Sequence, residues 1–228
     1  MHELLELAPS LWLTGDGAAW LPFSRVLVVA DVHVGYELAA QRRGGYLPPT
    51  ERGAAVGARL LALVERLQAI RLVVAGDLRH STRDADAFER EELGDLARVV
   101  GNGASLELVL GNHDRGGALI DAVSTHAELR VDDVDIVHRP PRTSPERWTI
   151  CGHLHPRVTV RDETGASARF PCVLTGGQTV VLPAFSEWAG GAEASRLVAE
   201  LPVARWRALP ISAGAIADVG IVFDRESC

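Results

Sequence analysis

Two different hydrophobic periods alternate along the first half of the chain. Apolar runs typical of buried strands occupy residues 11–30, 71–77 and 106–114, and the first of these holds two strand patterns around a Gly-Asp-Gly turn. Residues 50–70 and 85–100 instead place apolar side chains at the 3.6-residue spacing of amphipathic helices. Strands that alternate with helices in this way predict βαβ units built on a parallel sheet.

The pattern changes at about residue 128, where short strand-like segments follow one another with few helical periods. In chain order these segments are LRVDDVDIVH, RWTICGHLH, RVTVRDETGASARF, QTVVLPAF and ADVGIVFD. We expect them to form a second, more antiparallel sheet that packs on the first. A chain of 228 residues, of which 47% are hydrophobic, is long enough to bury one large core, so we expect a single domain over residues 1–228.

Side chains that can bind metal ions stand where the apolar runs of the first half end. Asp31 and His33 follow the first run, Asp77 ends the second, and Asn112 and His113 lie at the end of the third. In open sheets with parallel strands, ligands bind at the carboxyl ends of the strands. These side chains are therefore expected to converge at one edge of the sheet.

Histidines occupy the same kind of position in the second half of the chain. His138 follows the apolar end of VDDVDIV, and the segment GHLH places His153 and His155 two residues apart. In an extended segment, residues i and i+2 point to the same side, so both imidazoles can reach one point. Together with His33 and His113, these residues account for five of the eight histidines in the chain.

The donor types predict a pair of divalent metal ions. Carboxylate oxygen, amide oxygen and imidazole nitrogen suit ions such as manganese, iron or zinc, whereas the three cysteines form no CxxC pair for a structural zinc site. Seven candidate ligands are too many for one ion, but two ions that share a carboxylate would use them all, and such pairs hydrolyse phosphate esters. The alternative is that Asp31, Asp77 and Asn112 are ordinary turn residues, which requires three coincidences. The candidate ligands are Asp31, His33, Asp77, Asn112, His138, His153 and His155.

Five sequence blocks resemble the calcineurin-like metallophosphoesterase superfamily, both in their residues and in their order. They are DxH at 31–33, GD at 76–77, GNHD at 111–114, the single His138, and GHLH at 152–155. The looser motifs GDLRHS, GHLHP, RFPC and LPAFSEWAGG are similar to the bacterial PdeM branch, the ligase-associated DNA damage response endonucleases. The superfamily resemblance implies an α/β fold, a four-layer αββα sandwich with two mixed β-sheets.

The resemblance also implies a role for each site residue. It divides the ligands into two groups of three and one bridging carboxylate: Asp31, His33 and His155; Asn112, His138 and His153; and Asp77. His113 would face the phosphate as an acid or electrostatic clamp without binding metal. The two ions are expected to be Mn²⁺, with iron or zinc as alternatives, and a hydroxide that bridges them would attack phosphorus.

Three positions in the blocks leave alternatives open. His126, in STHAEL, is a rival to His138 as a ligand, although the departure of His138 from an apolar strand favours His138. His80 is expected to orient other residues or to be structural rather than to bind metal. Many members of the superfamily carry a second acidic residue shortly after GD, where this chain has Leu78, Arg79 and His80, so the role of that acid cannot be transferred.

Arginines stand beside most of these blocks and suggest a polyanionic substrate. If the loops converge, the arginines would form a basic rim in a chain whose formal net charge is −7, and the planar guanidinium suits phosphate. Arg79, Arg139 and Arg142 are the predicted substrate-binding residues. The other members of this rim are Arg42, Arg43, Arg83, Arg115 and Arg157. The alternative is that these arginines neutralise the acidic ligands or lie in solvated loops.

The leading hypothesis is therefore a metal-dependent phosphodiesterase that acts on DNA. The resemblance alone supplies the context of DNA repair, with a DNA ligase and a helicase as possible partners. A phosphatase or phosphodiesterase for a nucleotide or another small ester is the second hypothesis. A scaffold without catalytic activity is the third, and the complete ligand set argues against it.

The composition indicates where such a protein would work. No apolar segment approaches the ~18 to 20 residues of a membrane span, and the first residues carry Glu3 and Glu6 where a secretory signal has basic residues. Three cysteines, an odd number, do not form a disulfide framework. We expect a cytoplasmic protein without a membrane partner.

Overall fold

The computed structural model describes residues 2–48, 50, 52–82, 87–114 and 123–224. The elements of the first half are β1 (Leu4–Ala8), β2 (Leu11–Thr14), β3 (Ala19–Leu21), β4 (Val26–Val29), α1 (Tyr36–Arg42), α2 (Gly53–Leu67), β5 (Arg71–Ala75), α3 (Ala87–Val100), β6 (Ser105–Val109) and β7 (Ser124–His126). The elements of the second half are β8 (Leu129–Val131), β9 (Val134–Ile136), β10 (Trp148–Cys151), β11 (Pro156–Arg161), β12 (Ser167–Gly176), β13 (Thr179–Val181), β14 (Ala192–Glu193), α4 (Ala194–Val198), β15 (Arg205–Ser212), β16 (Ala215–Ile216) and β17 (Ile221–Asp224).

The first sheet follows the order of the chain, from β1 to β7. Strands β1 to β4 pair antiparallel through short turns, whereas β4, β5, β6 and β7 pair parallel. The helices α2 and α3 supply the crossovers that parallel neighbours need. The predicted βαβ units are therefore present, and they place the ends of β4, β5 and β6 at the same sheet edge.

The second sheet has the order β14-β11-β12-β13-β10-β9-β8, with β15 paired to β12 and with β16 and β17 paired to β15. Strand β12 runs antiparallel to β11, β13 and β15, while β10 runs parallel to both β9 and β13. Both sheets are therefore mixed, as the superfamily resemblance implies.

The side chains of β4 show how the inner layers pack. Leu27 and Val29 belong to the apolar cluster that includes α2 and α3, whereas Val26 and Val28 belong to the cluster between the two sheets. Strand alternation sends successive side chains to opposite faces, so a continuous apolar run can fill two layers. Full burial of each such side chain stabilises the fold by about 1.5–3 kcal/mol.

A third apolar cluster covers the outer face of the second sheet. Cys151, Cys172 and Trp206 from the sheet pack there with Ala194 and Val198 of α4. The order of layers is thus α2 and α3, first sheet, second sheet, α4, which confirms the predicted four-layer αββα sandwich. Cys151 and Cys172 are fully buried, and Cys228 lies outside the described residues.

Several element boundaries differ from the sequence prediction. The apolar stretch 11–30 forms three strands rather than two, because a turn at residues 22–25 separates β3 from β4 and Arg25 has a φ of 54°. Helix α2 ends at Leu67 rather than near residue 70, because Gln68 adopts the left-handed conformation. Helix α3 begins at Ala87, and residues 85 and 86 lie outside the described residues.

Strand β15 has no counterpart in the predicted elements. It contains Pro210, which opposes Cys172 of β12, and a proline lowers the apparent strand propensity of a segment. Among the described residues, no helix is both long enough and apolar enough to cross a membrane.

Backbone hydrogen bonds within each sheet and between the two sheets hold the ends of their strands together. Asp31 donates its N–H to the Gly76 carbonyl at 3.1 Å, and Phe185 donates to the Ala30 carbonyl at 2.9 Å. Within the second sheet, Gly152 donates to the His138 carbonyl at 3.1 Å. All the loops that carry the predicted ligands therefore meet at one place.

Candidate metal centre

The first cluster contains Asp31, His33 and His155, whose donor atoms lie within 4.8 Å of one another. The Nε2 atoms of His33 and His155 are 3.3 Å apart, and His155 Nε2 lies 3.5 Å from Asp31 Oδ1. His155 donates its Nδ1–H to the Gly190 carbonyl at 2.8 Å, which leaves its Nε2 lone pair facing the cluster. Asp31 Oδ1 is buried and accepts no hydrogen bond from a described residue. Electron pairs that converge in this way fit a divalent cation.

The second cluster contains Asp77, His138 and His153, again within 4.8 Å, and Asn112 joins them. His138 Nε2 lies 2.9 Å from Asn112 Oδ1 and 3.6 Å from Asp77 Oδ1. His138 donates its Nδ1–H to the Ala75 carbonyl at 3.2 Å, which directs its Nε2 towards these two oxygen atoms. The donor set therefore fits a second cation.

The two clusters share their scaffold. Asp31 Oδ1 lies 4.0 Å from His138 Nδ1, and Asp31 Oδ2 accepts a hydrogen bond from the His153 backbone N–H at 2.7 Å. Asp77 Oδ1 accepts the backbone N–H of His113 at 2.9 Å. Each carboxylate thus fixes the backbone of another block. The bridging role of Asp77 stays a prediction.

The predicted ligands also share an unusual backbone conformation. Asp31, His33, Asp77, His153 and His155 all have φ between 46° and 72°, and they make up five of the nine non-glycine residues with positive φ in the described chain. Side chains disfavour this left-handed region at a cost of about 1–3 kcal/mol each, and such residues cluster at functional sites. The conformation turns each chain sharply at the end of its strand and aims the side chain into the site.

Three glycines in the sequence blocks provide the space for the ligands. A Cβ atom on Gly76 would overlap the imidazole of His138, one on Gly111 would overlap the Asp77 carboxylate, and one on Gly152 would overlap Asp31 Oδ2. Glycine in GD, GNHD and GHLH is therefore required because a ligand from another strand packs directly against the backbone.

Replacing Gly152 with alanine is expected to weaken metal binding by about 10–100-fold, since the new methyl group displaces the Asp31 carboxylate. Calorimetric titration with Mn²⁺ measures this change. Gly94→Ala is the matched control, because a Cβ atom at this position of α3 meets no atom within 4 Å. Equal Mn²⁺ affinities for the two variants would contradict the close approach.

Burial sets the charge of the histidines before metal binds. It lowers the pKa of His33 to about 2, with help from the nearby His155 and His113, and lowers that of His153 to about 4, with help from His138. Both are therefore neutral at pH 7, with a lone pair free to coordinate. Burial alone would lower the pKa of His155 as well, but the Asp31 carboxylate beside it raises that pKa.

His113 lies at the rim of the first cluster. Its Nδ1–H is hydrogen-bonded to the His80 carbonyl, its Nε2 lies 3.9 Å from Asp77 Oδ2, and its side chain is 25% exposed. Its ring packs edge-on against His33 with 5.0 Å between ring centroids. Ring nitrogens of His33, His80 and His113 also lie within 4.8 Å of one another. The expectation that His113 acts on the phosphate without binding metal stays a prediction.

The sequence analysis missed one residue that assembles the site, Asp114. Its buried carboxylate accepts backbone N–H groups from Asp77 and Gly111, both at 2.8 Å, and from Arg79 at 3.3 Å. Burial raises the pKa of this carboxyl, against the effect of these donors. Asp114 therefore connects the GD block to the GNHD block through hydrogen bonds. Its position as the last residue of GNHD was the sequence signal that could have identified it.

The prediction that Arg79 belongs to an exposed rim is wrong. Its side chain is 0% exposed, and its guanidinium pairs with the buried Glu89 at 3.3 Å. Removing one partner of such a pair leaves an uncompensated buried charge and destabilises a protein by about 3–5 kcal/mol. Arg79 braces the loop after β5 and is not available to a substrate.

Of the other predicted rim arginines, four are exposed, Arg157 is half-buried, and two lie outside the described residues. Arg139 and Arg142 are exposed, and Arg139 donates to Asn112 Oδ1 at 3.3 Å. Arg42 and Arg43 are exposed as well, whereas Arg83 and Arg115 lie outside the described residues.

Of the two histidines proposed for one ligand position, His138 lies in the site. His126 is on β7, where it contacts Glu107 Oε2 at 3.0 Å. The buried strand end before His138 was therefore the better signal.

A four-layer αββα sandwich with two histidine- and carboxylate-containing clusters at its strand ends defines the class of the protein. The fold and the site are those of a calcineurin-like metallophosphoesterase, and the protein is a metal-dependent phosphoester hydrolase. Its structure is similar to that of nuclease MPE from Pseudomonas putida, with a TM-score of 0.73 and 25% sequence identity over 95% of this chain and 100% of that chain. This similarity to a nuclease agrees with the predicted resemblance to the PdeM branch of endonucleases.

The phosphoesterase Yfce from E. coli is a more distant structural match, with a TM-score of 0.41 and 14% identity over 84% of this chain and 95% of that chain. No protein-family model and no curated protein sequence matches the chain.

Proposed function

We propose that the protein is a phosphodiesterase with two metal ions that cuts DNA as a nuclease in DNA repair. The observation that carries this proposal is the similarity to a nuclease over 95% of the chain, with the predicted ligands gathered into two clusters. Arg139, which is exposed and contacts Asn112 of the second cluster, and Arg142, which is exposed three residues further along the chain, support a polyanionic substrate.

The two donor sets would each hold one divalent ion, with Asp77 between them. Asp31, His33 and His155 would bind the first ion, and Asn112, His138 and His153 the second. Mn²⁺ is the proposed metal, with iron or zinc as alternatives, because no thiolate is present among these donors. When bound, the ions supply a hydroxide near neutral pH and polarise the phosphoryl oxygens.

The side chains around the ions would orient the substrate and supply a proton. His113 donates its Nδ1–H to the His80 carbonyl, so Nε2 is the ring nitrogen that faces the site. In the imidazolium form, the Nε2–H would pass its proton to the leaving oxygen and leave the neutral ring with its proton on Nδ1. Arg139, hydrogen-bonded to Asn112 Oδ1 at 3.3 Å, is placed to contact a phosphate group beside the second ion.

A small phosphate ester is the second candidate substrate. The burial of Arg79 favours it, because one of the three predicted substrate-binding charges is not on the surface. The formal net charge of −7 also weakens long-range attraction of DNA.

A parallel assay tests the proposal. Mn²⁺-loaded protein is expected to hydrolyse bis(p-nitrophenyl) phosphate and single-stranded DNA faster than p-nitrophenyl phosphate. Binding of DNA should weaken with salt, with a slope of about 0.7 per phosphate contact. Hydrolysis of mononucleotide esters without cleavage of oligonucleotides would favour the small-ester function instead.

Neutralising Arg139 and Arg142 to glutamine together is expected to weaken oligonucleotide binding about tenfold and to lower the salt slope by about 1.4, two contacts' worth. Hydrolysis of bis(p-nitrophenyl) phosphate should remain, since the metal ligands are unchanged. The control neutralises Arg161 and Arg196, which are exposed on β11 and α4. Equal losses of oligonucleotide binding in both double variants would contradict a specific contact.

A further inference from the structure

We propose that a cavity beside His155 binds the nucleotide next to the scissile phosphate and that Arg157 contacts the phosphate of that nucleotide. This inference rests on the proposed nuclease function. It adds a binding site for the nucleotide that follows the scissile phosphate in the DNA strand.

The cavity borders the first metal cluster, because His155 is one of its lining residues. Its volume is about 310 Å³, and its lining includes His155, Arg157, Pro183 and Phe185. This size falls at the lower end of the range of about 300–1,000 Å³ for small-molecule sites. Any group that fills the cavity therefore adjoins a phosphate held at the metal centre.

A second cavity of about 520 Å³ shares part of this lining, including Phe185 and Ile211. The two cavities therefore adjoin each other, and the lining of the second includes none of the predicted metal ligands. A small ester needs no such extension, whereas a polymer continues on at least one side of the scissile bond.

Arg157 is the charged group in the first cavity that lacks a partner. Its Nε atom is buried and makes no hydrogen bond to a described residue, and none of the ion pairs among the described residues involves it. A buried donor of this kind is unfavourable until an acceptor arrives. A phosphate oxygen is the acceptor whose charge and geometry match a guanidinium.

The other arginine of this cavity, Arg59, differs from Arg157 because the protein already engages it. Arg59 donates to the Phe185 carbonyl at 3.2 Å, pairs with Glu187 at 3.4 Å and lies 4.6 Å above the Phe185 ring. Arg59 therefore forms a wall of the cavity, and Arg157 supplies the charge for the ligand.

Two acidic side chains also line the cavity, Asp16 and Glu187, and each is paired with an arginine, Arg66 and Arg59 respectively. The remaining lining is mainly apolar and suits a sugar and a base. Pro156, Pro171, Pro183 and Ile211 contribute apolar surface. Contacts of this type accept every base, because they depend on the shape and the apolar faces of the nucleotide and not on its hydrogen-bonding edge. The site is expected to bind without strong sequence preference.

The test compares two substrates in variants of the full-length, Mn²⁺-loaded protein. Arg157→Ala is expected to raise the KM for a twelve-nucleotide oligo(dT) about tenfold, while hydrolysis of bis(p-nitrophenyl) phosphate changes less than about twofold, since loss of a charge-assisted hydrogen bond has an effect of this order. Arg157→Lys should recover part of the loss, because it keeps the charge without the planar fork. Arg161→Ala, on the same strand but exposed, is the matched control and should behave as the wild type.

A second variant fills the cavity without changing any charge. Ala184 lines the cavity, so Ala184→Leu is expected to raise the KM for oligo(dT) while leaving the minimal diester unaffected. Thermal unfolding of each variant shows that it is folded.

The outcomes separate the two proposals. If the wild type cuts oligo(dT) and Arg157→Ala cuts it equally well, the nucleotide site is overturned while the nuclease function stands. Equal losses on both substrates also overturn the site, because they show that Arg157 supports the metal centre. If the wild type hydrolyses the minimal diester but no oligonucleotide, the nuclease function fails, and the nucleotide site fails with it.

Discussion

Asp77→Ala is expected to lose both metal ions and to reduce hydrolysis of every phosphate ester to background. The Asp77 carboxylate is buried, lies 3.6 Å from His138 Nε2 and holds the His113 backbone at 2.9 Å, in the position predicted for a bridge between the ions. Even residues that only orient ligands contribute about 10–100-fold to metal affinity, so a shared ligand should contribute more. Metal analysis after dialysis, together with the rate on bis(p-nitrophenyl) phosphate, measures both effects.

Two further variants separate loss of the bridge from loss of structure. Asp77→Asn keeps an oxygen for the His113 N–H but removes the charge, and it should also lose both ions. Asn112→Ala removes a ligand predicted to serve one ion only, so one ion should remain. A single ion in fully loaded and active wild-type protein would refute the two-ion centre.

His113→Ala is expected to retain both ions and to cut DNA about 10²–10⁴ times more slowly, the usual contribution of a general acid. The partly exposed ring is held through Nδ1 by the His80 carbonyl, which leaves Nε2 facing the site, where the imidazolium form would donate its Nε2 proton to the leaving oxygen. Single-turnover cleavage of an oligonucleotide, with metal content determined on the same sample, tests this role.

The leaving group and a second histidine provide the controls for His113. A nitrophenolate leaves without a proton, so His113→Ala should affect bis(p-nitrophenyl) phosphate much less than DNA. His153→Ala removes a predicted ligand and should lose metal and both activities. If His113→Ala loses metal to the same extent as His153→Ala, His113 is a ligand and the assigned roles are wrong.

The chemistry of the site could be predicted from the sequence because it depends on residue type and on local position. Asp31, Asp77 and Asn112 each follow an apolar run that is typical of a buried strand. Parallel strands place their carboxyl ends at the same edge of the sheet. Their convergence with His138 and His155 needed no information beyond the order of the blocks. The alternation of periods predicted the two sheets, and the resemblance to the metallophosphoesterase superfamily implied their arrangement in four layers.

The surroundings of the site depend on contacts between distant parts of the chain, and the sequence did not reveal them. Arg79 has the same local context as an exposed loop arginine, but Glu89 of α3 and the carboxylate of Asp114 enclose its loop. Strand β15 exists because it pairs with β12 more than thirty residues earlier in the chain, despite Pro210. The cavity beside Arg157 likewise exists because Pro183 and Phe185, from a later segment of the chain, line it together with Arg157 of β11.

The sequence by itself thus determined which donors meet and at which edge of the sheet, because periodicity and residue chemistry are local properties. Only the tertiary structure decided which charges are buried, which backbone turns are left-handed and which cavity adjoins the ligands. Those features follow from close packing between elements far apart in the chain, where a neighbour a few ångströms away changes the solvation of a charge or leaves room only for glycine.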